Sequence, residues 1–140
     1  MAIDHRRLAL GLCGVRIVNG LVLTLTPNMA ARLYLGPGGR EPTARALARF
    51  TGARELVLGV GAMVAVMTRT GDAEAMAAGA VCDGIDFFVS VLSPGLAART
   101  RIAAPSAAAG AVAGLWAARA LARDRRAPAA NEAAASLVTV

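Results

Sequence analysis

The chain has 140 residues, 56% of them hydrophobic and 4% aromatic, with a formal net charge of +6 and a mean hydropathy of +0.56. Its apolar residues are bunched into runs long enough to cross a bilayer, so little length is left for a separate soluble catalytic domain. The positive charge is all arginine and flanks those runs, without the compact basic helix or aromatic-interleaved patch of a nucleic-acid binder, so nucleic acid is excluded as a partner.

Four runs are expected to be helical spans: residues 8–25, 50–68, 73–92 and 102–122. Each is near the roughly 20 residues a helix needs to cross a ~30 Å hydrocarbon core. The first run follows Asp4, His5, Arg6 and Arg7 and superficially suggests a secretion signal. Arg16 and Asn19 interrupt it, and no small-x-small cleavage site precedes Pro27, so it reads as an uncleaved span. Arg16 and Asn19 lie three apart and share a face with Leu12 and Leu23. An arginine at that depth is too far in to snorkel easily and is expected to point inward.

Pro27 ends the first span, and residues 28–49 form the longest loop. Residues 28–35 have the pattern of a short helix lying in the membrane interface, with Tyr34 at headgroup level. Gly36-Pro37-Gly38-Gly39-Arg40 reads as a flexible turn, since the Gly-Lys-Ser/Thr of a phosphate loop is missing. The second long helix is expected to start near Thr43, after Glu41-Pro42, and to enter the bilayer around Phe50. On it, Gly52, Glu55, Gly59 and Ala62 fall on one face, where small residues permit close helix approach. Arg54 is rotated about 100° from Glu55, so it either joins the same layer or reaches for headgroups.

Arg69-Thr70-Gly71-Asp72 is a short polar turn, which makes the second and third spans antiparallel neighbours. The third carries Met76, Gly79, Asp83, Asp86 and Ser90 on one face and ends at Ser93-Pro94-Gly95. The fourth is alanine-rich and holds a GxxxG pattern, Gly110 to Gly114, read as packing within the bundle with dimerisation as the alternative. Trp116 fits an interfacial anchor, Arg119, Arg123, Arg125 and Arg126 form a basic cluster, and residues 127–140 read as a disordered tail.

Measured from the side of the termini at ~1.5 Å per residue, Arg16 lies about 12 Å deep, Asn19 and Asp83 about 16 Å, and Asp86 and Glu55 about 20 Å. Charges in hydrocarbon cost several kcal/mol each unless paired or neutralised, so one polar layer is expected, made of Arg16, Asn19, Arg54, Glu55, Asp83 and Asp86. Three acids face two arginines there, and one acid is expected to carry a proton. Cys13 and Cys82 sit inside spans as small apolar residues, His5 is the sole histidine, and no metal-ligand spacing or cofactor motif is present. Arg6, Arg7, Arg69, Arg119, Arg123, Arg125 and Arg126 lie on the side of the termini, against Arg32, Arg40, Arg45, Arg49, Arg99 and Arg101 opposite. That bias orients both termini to the cytoplasm.

The stretch Arg49-Phe50-Thr51-Gly52-Ala53-Arg54-Glu55-Leu56-Val57-Leu58-Gly59, followed by Asp83-x-x-Asp86, resembles a family of small four-span membrane proteins of unknown function found in actinobacteria and fungi. The likeness runs over about residues 14–119 and takes in Arg16, Asn19-Gly20, Pro27 and Leu35-Gly36. It implies a membrane location and a helical bundle, and carries no activity with it.

The expected architecture is therefore all-α: one integral membrane four-helix bundle over residues 1–126, with a short interfacial helix in the first loop, in the plasma membrane. The leading functional expectation is a non-enzymatic protein whose charged layer holds the bundle together, as an accessory subunit for example. Two alternatives stand beside it. One is a small proton-coupled transporter or small-molecule binder using the intramembrane carboxylates; the other is an intramembrane acid–base enzyme on a lipid-like substrate. Candidate partners are the bilayer, a second copy or larger membrane complex, and a small apolar or cationic ligand.

Overall fold

The computed structural model describes residues 4–93 and 103–138, and among them all regular structure is helical. The helices are α1 (His5–Leu25), α2 (Pro27–Leu35), α3 (Pro42–Thr68), α4 (Asp72–Leu92) and α5 (Ala103–Val138), with a 3-10 turn at Gly36–Arg40. Pro94–Gly95, Arg99 and Arg101 lie outside the described residues, as does the side chain of Tyr34.

Local chemistry sets the boundaries. Asp4 caps α1, accepting hydrogen bonds from the amides of Arg6 and Arg7, each at 3.1 Å. Thr26 closes α1, and Pro27, which cannot donate an amide hydrogen bond, opens the expected short helix at its first position. Pro42 likewise opens α3, eight residues before Phe50. Arg69 and Gly71 take left-handed backbone angles, φ 59° and 64°, and reverse the chain into α4 at the expected turn.

α1, α3 and α4 are each long and apolar enough to span a membrane, with mean hydropathies of 1.9, 1.5 and 1.6 over their best windows. The expected fourth span does not reach that measure. Alanine adds little apolar character per residue, and Pro105, Ser106, Gly110, Gly114 and Arg119 dilute it further. Among the described residues, the count of helices long and apolar enough to cross is three, not four. α5 also runs on as helix to Val138, across most of the segment expected to be a disordered tail. Alanine is the strongest intrinsic helix former, and the tail is rich in it.

The packing is inverted relative to a water-soluble domain. Large apolar side chains mostly point outward, with Val15, Leu25, Phe50, Val57 and Leu92 each at least 70% exposed, while the interior is built mainly of Ala and Gly with a few larger residues such as Leu23, Val66, Met76 and Leu121. In water such a continuous apolar exterior would be an aggregation surface; in lipid it is the solvent-facing side. α1 packs mainly on α3 and α4 mainly on α5, and the two pairs are joined by lesser contacts of α3 with α4 and of α1 with α5.

Glycines set the approach inside each pair. A Cβ placed on Gly52 would come within 2.8 Å of the Gly20 carbonyl and 2.4 Å of Thr24 Oγ1, so α1 and α3 touch backbone to backbone. In α5, a Cβ on Gly114 would lie 2.9 Å from Ala80 Cβ and one on Gly110 would lie 2.5 Å from Asp83 Oδ2. The GxxxG face is thus spent on α4 within the chain.

At the end holding the N-terminus, Ala9, Cys13, Ala62, Val66, Ala73, Met76, Ala117, Ala118 and Leu121 close into one buried cluster. Polar contacts seal that end. Arg6 donates to the Val66 and Met67 carbonyls, Arg125 pairs with Asp72 at 3.1 Å and Glu74 at 3.0 Å, and His5 lies 3.1 Å from Asp124. Trp116, expected as an interfacial anchor, sits at the same end with its ring edge-on to His5, centroids 5.4 Å apart.

Candidate functional site

Five of the six residues expected in the polar layer meet in a single network. Arg16 on α1 extends across to α3 and α4. Its Nη1 donates to both oxygens of Glu55, at 3.1 and 2.9 Å, and its Nη2 donates to Asp83 Oδ2 at 2.5 Å and to the Gly79 carbonyl at 3.3 Å. Gly79 leaves the room for this, since a Cβ there would come within 3.4 Å of the guanidinium. Arg54 on α3 donates through Nη1 to Asp86 Oδ1 at 2.9 Å and through Nη2 to Glu55 Oε1 at 3.2 Å, and it also bonds Asp86 Oδ2. The network therefore ties α1, α3 and α4 together, with Glu55 as the acid shared by both arginines.

Arg54 joins the network through Asp86 and Glu55. Its long side chain reaches back round the helix to meet Asp86, so its 100° offset from Glu55 does not keep it out. Asn19 departs from expectation: it is exposed and makes no hydrogen bond to a described residue. The α1 position in backbone contact with α3 at this level is Gly20, one residue on, which leaves Asn19 at the rim of a cavity.

The network forms part of the wall of this cavity, which has a volume of about 630 Å³ and opens to the exterior, its lining including the exposed Val15, Leu47 and Val89. Cys13, Ala62 and Met76, members of the buried cluster, form its floor; Ala30, Ala31, Ala44, Val89 and Ser90 lie at the opposite end, where α2 is. Most of its lining is small or apolar, and the charged groups Arg16, Arg54, Glu55, Asp83 and Asp86 are gathered on one level. That size and that mix of apolar wall with a few convergent polar groups are typical of a site for a small organic molecule. Asn19 borders the cavity as well.

The electrostatics are uneven along the network. Glu55 and Asp83 are buried, at 6% and 9% exposure, whereas the Arg54 and Asp86 side chains are more than a third exposed. Three carboxylates and two guanidiniums leave one negative charge without a partner cation. Glu55, Asp83 and Asp86 each place an oxygen within 4.8 Å of the others, a spacing a cation could bridge, but guanidinium groups already occupy most of those oxygens. Arg54 Nε and Thr24 Oγ1 are buried without a hydrogen-bond partner among the described residues. Cys13 is buried with its thiol 3.8 Å from the Met76 sulfur, and Cys82 is half-buried; both are free thiols.

The cavity has no signature in the sequence. The nearest signal is the run of small residues at Ala30, Ala31, Ala44 and Ala48, which leave space only if the backbones around them stay apart. Comparison with known proteins finds no matching family model, no similar curated protein and no similar solved structure.

Proposed function

We propose that this chain is an integral membrane protein that holds a small, mainly apolar molecule in its open-sided cavity, with the charged network acting as both the clamp between helices and the polar wall of the site. The carrying observation is the juxtaposition of a cavity of about 630 Å³ with five charged groups at one level of its wall. An ion-pair layer that served packing alone would be expected to be dry and closed, as the cluster below it is.

In this reading α1, α3 and α4 cross the bilayer and α5 crosses beside them as the fourth helix of a bundle. Its modest hydropathy is offset by the long face it turns to α4. The plasma membrane, cytoplasmic termini and an interfacial position for α2 belong to the same proposal, as does kinship with the small four-span family. A second reading, proton-coupled exchange, is favoured by the one surplus carboxylate. Acid–base catalysis is less supported, because Glu55 and Asp86 each have both oxygens engaged by guanidinium.

Two measurements test the proposal. Under alkaline carbonate extraction the chain is expected to stay with the membrane pellet; release into the supernatant would sink the membrane reading. Native mass spectrometry of protein released from membranes is expected to show an adduct of small-molecule mass that Ser90→Phe removes, since Ser90 lines the cavity without touching the ion pairs. An adduct-free spectrum, with no thermal stabilisation by any small apolar compound, would reduce the network to a clamp.

A further inference from the structure

The charge arithmetic of the network and the shape of the cavity together restrict what the cavity holds. Arg16 and Arg54 supply two positive charges, and Glu55, Asp83 and Asp86 supply three negative ones. No other charged side chain lines the cavity among the described residues. With all three acids ionised, that lining carries one net negative charge. A lone ionised group in an apolar surround costs several kcal/mol unless something neutralises it.

The placement of the surplus is equally specific. Both oxygens of Glu55 are engaged by Arg16, and both oxygens of Asp86 by Arg54. Asp83 differs: its Oδ2 takes Arg16, while its Oδ1 receives no hydrogen bond from a described residue. Asp83 is nine-tenths buried, lines the cavity, and is pressed from behind by Gly110, which has no side chain to offer it. Asp86, four-tenths exposed, lines the same cavity one turn further toward α2.

We infer that the cavity takes a small organic monocation with an apolar body, its charge set against the Asp83 and Asp86 carboxylates and its body against the alanine-rich walls near α2. This rests on the cavity reading proposed above and adds the sign of the ligand's charge. An anion is disfavoured because the Nη groups of both guanidiniums are committed to carboxylates, leaving Arg54 Nε as the buried guanidinium donor without a partner among the described residues. A neutral apolar molecule fills the volume but leaves the surplus charge for a proton to neutralise.

Tetraphenylphosphonium and tetraphenylborate, closely matched in shape and opposite in charge, test the inference on the full chain in non-ionic detergent by equilibrium dialysis against protein-free micelles. Tetraphenylphosphonium is expected to bind at least about tenfold more tightly than tetraphenylborate, a difference of about 1.4 kcal/mol. Asp86→Asn brings the network to neutrality and is expected to weaken tetraphenylphosphonium by about tenfold or more. Arg54→Gln combined with Asp86→Asn restores one net negative charge and leaves no guanidinium unpaired at that position. This double variant is expected to recover binding, and it also serves should the single variant fold poorly. Equal binding of the two ions, both abolished by Ser90→Phe, would overturn the cation inference while leaving the cavity reading in place. Failure of both ions and of neutral triphenylphosphine oxide to bind, or binding that survives Ser90→Phe, would overturn both.

Discussion

The two ends of the molecule are built from the same small residues and pack in opposite ways. At the end holding the N-terminus, Ala9, Ala73, Ala117 and Ala118 are buried in a closed cluster. At the α2 end, Ala30, Ala31, Ala44, Ala48 and Ala107 line a void of about 630 Å³. Alanine fills space only where backbones come close, and here the closeness differs between helix pairs. α1 and α3 stay in backbone contact at Gly20 and Gly52, while at the α2 end the charged network stands between that pair and α4, and at the other end His5 ties α1 to α5. Side-chain volume is therefore read through helix separation, and the network marks the level at which separation changes.

The largest test of this contrast removes the divider. Arg16→Met leaves Glu55 and Asp83 without their main cation, and breaking a buried pair in this way costs about 3–5 kcal/mol. A large fall in thermal midpoint is expected in detergent, with a smaller fall for Arg54→Met, whose side chain and partner Asp86 are both more than a third exposed. Equal effects from the two variants would mean that the network has no buried side.

A matched pair of enlargements on one helix sharpens the comparison. Ala117→Leu places extra carbons where nothing is exposed, and overpacking there is expected to cost about 1–3 kcal/mol. Ala107→Leu directs the same carbons at the cavity and is expected to be neutral or stabilising, by up to about 0.8 kcal/mol per buried methylene. Chemical denaturation of the two variants against the parent chain reads the difference directly. Destabilisation of equal size would show both ends to be closed.

The smallest expected effect comes from the polar seal. Arg125→Ala removes a pair to the exposed Glu74, where screening leaves little net gain, and one to the buried Asp72, whose Oδ1 keeps its hydrogen bond from the Ala73 amide at 2.8 Å. Its thermal midpoint is expected to fall within the scatter of ordinary surface substitutions. A loss approaching that of Arg16→Met would place the restraint on helix spacing at the seal instead of the network.

Much of this was legible in the residues. Helical periodicity put Gly52, Glu55 and Gly59 on one face of α3 and Met76, Gly79 and Asp83 on one face of α4, and those faces are the buried ones. Depth counting from the span ends brought Arg16, Glu55, Asp83 and Asp86 to one level because a helix has a fixed rise. Asn19 was misplaced because a face shared with Arg16 does not say which residue of that face meets a neighbour; the contact at Gly20 decides it. Whether α5 is a span turned on hydropathy, where alanine is ambiguous: it makes helices readily without making them strongly apolar. The cavity was illegible for a deeper reason, since a void is a property of where backbones are held and no residue encodes it alone.

The network also imposes an order in time on a chain made from its N-terminus. Arg16 is synthesised first, its partner Glu55 follows 39 residues later and Asp83 67 residues later. α1 thus arrives with a cation and no anion, whereas α3 and α4, joined by a tight turn, carry Arg54 and Asp86 as a pair that can close within the hairpin. The hairpin can enter lipid partly self-neutralised, and α1 is the segment that must wait, so nascent chains halted before Glu55 are the ones most exposed to removal by membrane quality control.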